Sequence, residues 1–106
     1  MKVEQITPRR LREMQENGDL TLLDVRERDE WEICRIDGAQ LIPLSRFSPD
    51  TFSPENGEPI VVYCHTGQRS ALVTRMLREN GYERVYNLQG GIDAYSYEVD
   101  PEIPRY

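Results

Sequence analysis

The chain has 106 residues with 13 basic and 19 acidic side chains, so its formal net charge is −6. This length predicts one domain over residues 1–106, and the acidic balance, with an isoelectric point near 4.8, argues against nucleic acid as a partner. The longest apolar run, residues 60–64, is far shorter than the roughly 20 residues that cross a membrane, and the first residues lack a signal peptide, so we expect a cytoplasmic protein without membrane contact.

The first predicted element is a helix that begins at Pro8. Thr7 is a suitable N-cap for it, and proline fits the first helical position. Leu11 and Met14 lie on one face of this helix, which we expect to pack into the core. Gly18 ends the helix, and we expect a left-handed backbone there.

The segment that follows predicts a strand, a short helix, a second extended piece and a surface connection. The buried strand covers residues 20–25, and the short helix lies around Glu30, Trp31 and Ile33 and is ended by Gly38. The extended piece covers residues 39–44, and the surface connection covers residues 45–58. We expect Trp31 in the core, Cys34 as a structural thiol, and a structural ion pair between Asp24 and Arg26.

The second half of the chain predicts a strand, a helix and another strand within about 30 residues, which is the size of a parallel βαβ unit. The elements are the strand Ile60–Tyr63, a polar loop over residues 64–69, a helix from Ser70 to Asn80, the strand Val85–Leu88, a Gly90-Gly91 turn and a final helix from Ile92 to Tyr97. The sequence therefore predicts an α/β fold with a mostly parallel sheet.

The loop over residues 64–69 is the candidate active site, because ligands of α/β sheets bind beyond the carboxyl ends of the strands. Its N–H groups and the helix N-terminus favour an anion, and such surroundings lower the pKa of a cysteine, so Cys64 is a candidate nucleophile. Gly67 permits a positive φ. Arg69 opposes the helix dipole, which indicates an anionic ligand, and Ser70 is either a cap or a hydroxyl donor to the sulfur.

Five segments of the chain match, in order and spacing, the motifs of one family. They are LLDVRE at 22–27, EWE at 30–32, IDGA at 36–39, VVYCHTGQRS at 61–70 and VYNLQGGI at 85–92. With these residues the chain resembles the rhodanese domain of the thiosulfate sulfurtransferase family. The resemblance implies a three-layer sandwich with a five-stranded, mostly parallel sheet and helices on both faces.

The same resemblance implies a sulfurtransferase that carries a persulfide on Cys64 and needs no metal or other cofactor. The substrate-binding positions that it implies are His65, Thr66, Gly67, Gln68, Arg69 and Ser70. The backbone amides of residues 65 to 69 would surround the terminal sulfur, and Arg69 would orient a small anionic sulfur donor such as thiosulfate. Cyanide, a thiol or a sulfur-carrier protein would accept the sulfur. We expect the imidazole of His65 itself to be an exposed loop side chain.

Two alternatives to a sulfurtransferase stay open. Some rhodanese-type domains are non-catalytic binding modules, although Cys64, Gly67 and Arg69 are all present here. Phosphatases and arsenate reductases of related fold also place a cysteine and an arginine around an oxyanion, but their loop is longer than the four residues between Cys64 and Arg69. The chain also departs from the family's usual Gly-His-Ile-Pro-Gly-Ala motif, with Cys34 and Arg35 in place of Gly-His, so it lacks that histidine.

Overall fold

The computed structural model of the chain describes residues 3–52 and 57–106. The strands in this part are β1 (Gln5–Ile6), β2 (Thr21–Asp24), β3 (Gln40–Leu41), β4 (Ile60–Tyr63) and β5 (Val85–Leu88). The helices are α1 (Pro8–Asn17), α2 (Arg28–Ile33), α3 (Gln68–Glu79) and α4 (Gly91–Glu98). A helix follows every strand except β3, which is followed by two 3₁₀ turns before β4. Strand β1 was not among the elements predicted from the sequence.

The five strands form one sheet in the order β1-β5-β4-β2-β3, and every neighbouring pair is parallel. Strand β4 is central because its apolar, β-branched residues are buried on both faces of the sheet. Tyr63 at its carboxyl end pairs with Asp24 of β2, and Val62 pairs with Asn87 of β5. The segments that leave β2, β4 and β5 consequently lie side by side at one edge of the sheet.

Helices cover both faces of this sheet, so the predicted three-layer sandwich is confirmed. On one face, Leu11 of α1 and Ile92 of α4 belong to a buried cluster with Val61 of β4. On the other face, Val73 and Leu77 of α3 belong to a second cluster with alternate strand residues. The strand residues of that second cluster are Leu23, Ile60, Val62 and Val85.

Helix α1 begins and ends at the predicted positions, but the backbone conformation at its end differs from the prediction. The Thr7 side chain accepts a hydrogen bond from the Arg10 amide at 3.1 Å, and Pro8 occupies the first turn. Gly18 has φ 173°, which is extended backbone, so the expected left-handed conformation is wrong. Its amide still bonds to Met14 O at 3.2 Å, and the chain then runs directly into β2 without reversing through a left-handed residue.

One prediction about the middle of the chain is wrong, and another holds only in part. Trp31 is only half-buried, because α2 has six residues and buries none of them, and the guanidinium of Arg35 lies 4.7 Å from the Trp31 ring centroid. The segment 45–58 is not wholly a surface connection: its described part contains 3₁₀ turns, and Phe52 is buried in the α3-side cluster beside Phe47 and Tyr82. Residues 53–56 of this segment lie outside the described residues.

Candidate active site

Cys64 follows the central strand directly, and its side chain lies on the α3 side of the sheet. The residue is 1% exposed. The chain turns from this strand into α3 through Gly67, which is the N-cap of the helix with φ +108°. This left-handed conformation favours glycine, and it lets α3 begin at Gln68, two residues before the predicted start at Ser70.

The sulfur of Cys64 accepts hydrogen bonds from the first turn of α3. The Gly67 amide donates at 3.2 Å, the Ser70 amide at 3.4 Å, and the Ser70 hydroxyl lies at 3.3 Å from Sγ. Within the described residues, the amides of His65, Thr66, Gln68 and Arg69 make no hydrogen bond to this sulfur. The thiol is thus buried, yet it faces two amides, a hydroxyl and the positive end of a helix, all of which stabilise a sulfur anion.

The side-chain amide of Asn87 in β5 holds Ser70 and Gly67 in place. Its Oδ1 lies 2.5 Å from the Ser70 hydroxyl oxygen, and its Nδ2 donates to Gly67 O and to Gln5 Oε1, each at 3.0 Å. The Ser70 hydroxyl has one proton, so it donates either to Asn87 or to the sulfur of Cys64 at any moment. Asn87 was not among the predicted site residues, although a polar residue within the apolar run of β5 was a usable signal.

The base of the loop is tied to the first turn of α4. The Ile92 amide donates to Cys64 O at 2.9 Å, and the Asp93 amide donates to His65 O at 3.1 Å. A Cβ atom on Gly91 would lie 2.6 Å from Cys64 O and would overlap the carbonyl of His65, and Gly91 also has φ +64°. Glycine at this position is therefore what permits the close approach of the loop and α4.

Arg69 forms a two-pronged ion pair with Glu30 of α2. The two guanidinium nitrogens donate to Glu30 Oε1 at 2.6 Å and Oε2 at 2.9 Å. These bonds, against the opposing effect of desolvation, lower the pKa of Glu30 to about 2. Arg69 thus already has a carboxylate partner, whereas Thr66 and Gln68 of the same loop are exposed.

The predicted ion pair between Asp24 and Arg26 is present and completely buried. Arg26 Nη2 lies 2.7 Å from Asp24 Oδ2 and donates to the carbonyl of Cys34 at 2.6 Å. Desolvation lowers the pKa of Arg26, but the hydrogen bonds with Asp24 and Tyr106 outweigh it, and the net effect is to raise that pKa. Cys34 is a buried free thiol whose sulfur lies 3.9 Å from Arg26 Nη1.

Tyr106 packs over this network from the far end of the chain. Its ring stacks on the His65 imidazole with centroids 4.0 Å apart and an interplanar angle of 12°. Its hydroxyl donates to Glu30 Oε2 at 2.8 Å and accepts from Arg26 Nη1 at 3.0 Å. The imidazole of His65 is therefore half-buried, and the expectation of an exposed side chain is wrong because Tyr106 covers it.

Comparison with known proteins places these observations in a family. The model of the family described as "Rhodanese-like domain" matches residues 7–98. The chain is 39% identical over 104 residues to the probable adenylyltransferase/sulfurtransferase MoeZ of Mycobacterium tuberculosis, covering 95% of this chain and 26% of that protein. It is also 45% identical over 89 residues to the chloroplastic rhodanese-like/PpiC domain-containing protein 12 of Arabidopsis thaliana, covering 80% of this chain and 30% of that protein.

Solved structures share the fold over nearly the whole chain. The human single-domain sulfurtransferase TSTD1 superposes with a TM-score of 0.78 at 25% identity, covering 92% of this chain and 98% of that one. The two curated relatives are much longer, since the chain spans less than a third of either. One relative is named as chloroplastic, so the cytoplasmic location stays a prediction. Within residues 3–52 and 57–106, no helix is long and apolar enough to span a bilayer.

Proposed function

Since the chain belongs to the rhodanese-like domain family, we propose that it moves a sulfane sulfur through a persulfide on Cys64. The donor is thiosulfate or a persulfide donor, and the acceptor is cyanide or a thiol, including a thiol of a sulfur-carrier protein. The reaction needs no metal and no organic cofactor. The observation that carries this proposal is the sulfur of Cys64, held at the N-terminus of α3 by hydrogen bonds from Gly67 and Ser70.

In the first half of the proposed reaction, the Cys64 thiolate attacks the outer sulfur of thiosulfate. A bond forms between Sγ and that outer sulfur, the bond from the outer sulfur to the sulfonate sulfur breaks, and sulfite leaves with the electron pair. The thiolate is the attacking species, so its stabilisation by the loop amides supplies the nucleophile without a separate base. The amides of residues 65 to 69 are the proposed surroundings of the added sulfur.

In the second half, the acceptor attacks the terminal sulfur of the persulfide. The bond between the two sulfurs breaks, and the electron pair returns to Cys64 as a thiolate. The two amides and the hydroxyl that face Sγ in the free protein then stabilise this leaving anion. Cys64 itself is almost completely buried, so the acceptor needs to reach only the sulfur that projects beyond it.

Intact-mass spectrometry after incubation with thiosulfate tests this proposal. We expect an adduct of about 32 Da, the mass of one sulfur atom, on the wild type and on Cys34→Ser, and none on Cys64→Ser. Addition of cyanide should remove the adduct and release thiocyanate. If neither thiosulfate nor any persulfide donor labels Cys64, the proposal is wrong, and the non-catalytic binding module becomes the better interpretation. Hydrolysis of an aryl phosphate that depends on Cys64 would favour the phosphatase alternative.

A further inference from the structure

The guanidinium of Arg69 is occupied in the free protein. Both of its terminal nitrogens bond to Glu30, at 2.6 Å and 2.9 Å. The two terminal nitrogens that Glu30 occupies form an edge through which a guanidinium binds a carboxylate or a sulfonate in two-pronged geometry. A sulfonate that approaches Arg69 must therefore either displace Glu30 or bind beside its negative charge.

Glu30 is held in place by more than Arg69. The Tyr106 hydroxyl donates to Glu30 Oε2 at 2.8 Å, and the Glu27 amide donates to Glu30 Oε1 at 3.1 Å. Tyr106 is itself fixed by Arg26 and by its stacking on His65. The Glu30 side chain is only 17% exposed, so it is not a loosely paired surface carboxylate.

Two other arginines that contact residues next to the loop are also paired with carboxylates. Arg26 is paired with Asp24 at 2.7 Å, and Arg105 is paired with Asp93 at 2.9 Å. With Arg69 and Glu30, these are three arginines matched by three carboxylates. Within the described residues, these three ion pairs bring no net positive charge to balance the two negative charges of thiosulfate.

We propose that Glu30, held by Tyr106, is a specificity-determining residue that competes with the sulfonate of thiosulfate for Arg69. The site then selects sulfane donors that carry one negative charge, such as a thiosulfonate or the persulfide of a thiol, over the thiosulfate dianion. This inference rests on the proposed sulfur transfer to Cys64. The step is the same for each donor: Sγ bonds to the outer sulfur, and the group behind that sulfur leaves with the electron pair. The leaving group is sulfite from thiosulfate, a sulfinate from a thiosulfonate and a thiolate from a persulfide.

The test compares two donors, the dianion thiosulfate and the monoanion benzenethiosulfonate, on the wild type, Glu30→Gln and Tyr106→Phe. We expect Glu30→Gln to raise kcat/KM for thiosulfate about tenfold, mainly through a lower KM. The same variant should change kcat/KM for benzenethiosulfonate less than about threefold. The reason is that removing the negative charge of Glu30 relieves more repulsion for a dianion than for a monoanion. Glutamine can still accept the hydrogen bond from the Glu27 amide, so α2 keeps its cap.

Tyr106→Phe provides a second, milder perturbation. It keeps the ring on His65 but removes the hydroxyl that donates to Glu30, so we expect a rise in the same direction of about two- to fivefold. Glu13→Gln is the matched control, because Glu13 pairs with Arg10 on an exposed part of α1, and it should leave both donors unchanged.

The outcomes separate this inference from the proposed function. If Cys64 takes sulfur from benzenethiosulfonate but Glu30→Gln leaves the ratio of the two kcat/KM values unchanged, the specificity role of Glu30 is wrong and sulfur transfer stands. A fall in kcat/KM for thiosulfate in Glu30→Gln would mean that Glu30 positions Arg69 for the donor, which also overturns the inference. If Cys64 takes sulfur from neither donor in any variant, the proposed function itself fails.

Discussion

Replacing Glu30 by glutamine should destabilise the protein in a way that depends on pH. The pKa of Glu30 falls from an ordinary 4.5 to about 2 in the folded chain, mainly through its hydrogen bonds with Arg69. At about 1.36 kcal/mol per pKa unit, this fall corresponds to an upper limit of about 3.4 kcal/mol. Arg69 is 34% exposed and solvent screens the pair, so we expect a loss of roughly 1–2 kcal/mol at pH 7.

The sign of the pH dependence follows from the direction of the pKa change. A carboxylate with a lowered folded-state pKa contributes its full stability above the unfolded value of 4.5, and this contribution disappears as the pH falls towards about 2. Proton linkage between these two values leaves about two fifths of the contribution at pH 3. The difference between wild type and Glu30→Gln should therefore be the same at pH 7 and pH 6 and less than half as large at pH 3.

Urea unfolding at pH 7, 6 and 3, followed by circular dichroism, measures this difference directly. Glu13→Gln serves as the control, because its partner Arg10 is 61% exposed and the change in free energy of unfolding should stay below about 0.5 kcal/mol. A Glu30→Gln difference that is unchanged between pH 7 and pH 3 would refute the electrostatic explanation and would indicate lost packing instead.

Three further variants and one control variant test the residues around the site. Gly91→Ala should lower the free energy of unfolding in urea by roughly 2–4 kcal/mol and slow sulfur uptake, because its Cβ overlaps the loop carbonyls. Gly18→Ala is the control, because Gly18 has open space around it and an extended backbone, and it should change the free energy of unfolding by less than about 0.5 kcal/mol. Asp24→Asn should cost about 3–5 kcal/mol because it leaves the buried Arg26 without a counter-charge, and a loss below about 1 kcal/mol would contradict that account. Cys34→Ser should keep sulfur uptake at the wild-type rate, and a large fall would assign that thiol a chemical role.

The local part of the site was predictable from the sequence. The segment from β4 through the loop to α3 is continuous in the chain, so an apolar strand, a glycine and a helical stripe are enough to place Cys64 at a helix N-terminus. The exact start of α3 was not predictable, because it depends on the positive φ of Gly67. The periodicity of apolar residues shows which face of a helix is buried, but it does not determine at which residue the helix begins.

The distant contacts of the site were not predictable in the same way. Glu30 and Arg69 are 39 residues apart, and Glu30 and Tyr106 are 76 residues apart, so no local pattern links them. The sequence predicted that Arg69 binds an anionic ligand, which stays a prediction, whereas its anionic partner in the free protein is the Glu30 side chain. For Trp31 the sequence predicted burial that the structure does not show, because a large apolar residue on a six-residue helix has too little neighbouring surface to bury it.

The unequal lengths of the strands have a consequence for hydrogen exchange. Strands β1 and β3 lie at the margins of the sheet and have two residues each, whereas β4 pairs along four positions with β2 and three with β5. Local opening should begin at the two margins and reach β4 last. The amides of residues 61–63 should exchange with deuterium at rates set by global unfolding. Cys64 therefore directly follows the part of the protein that we expect to exchange most slowly.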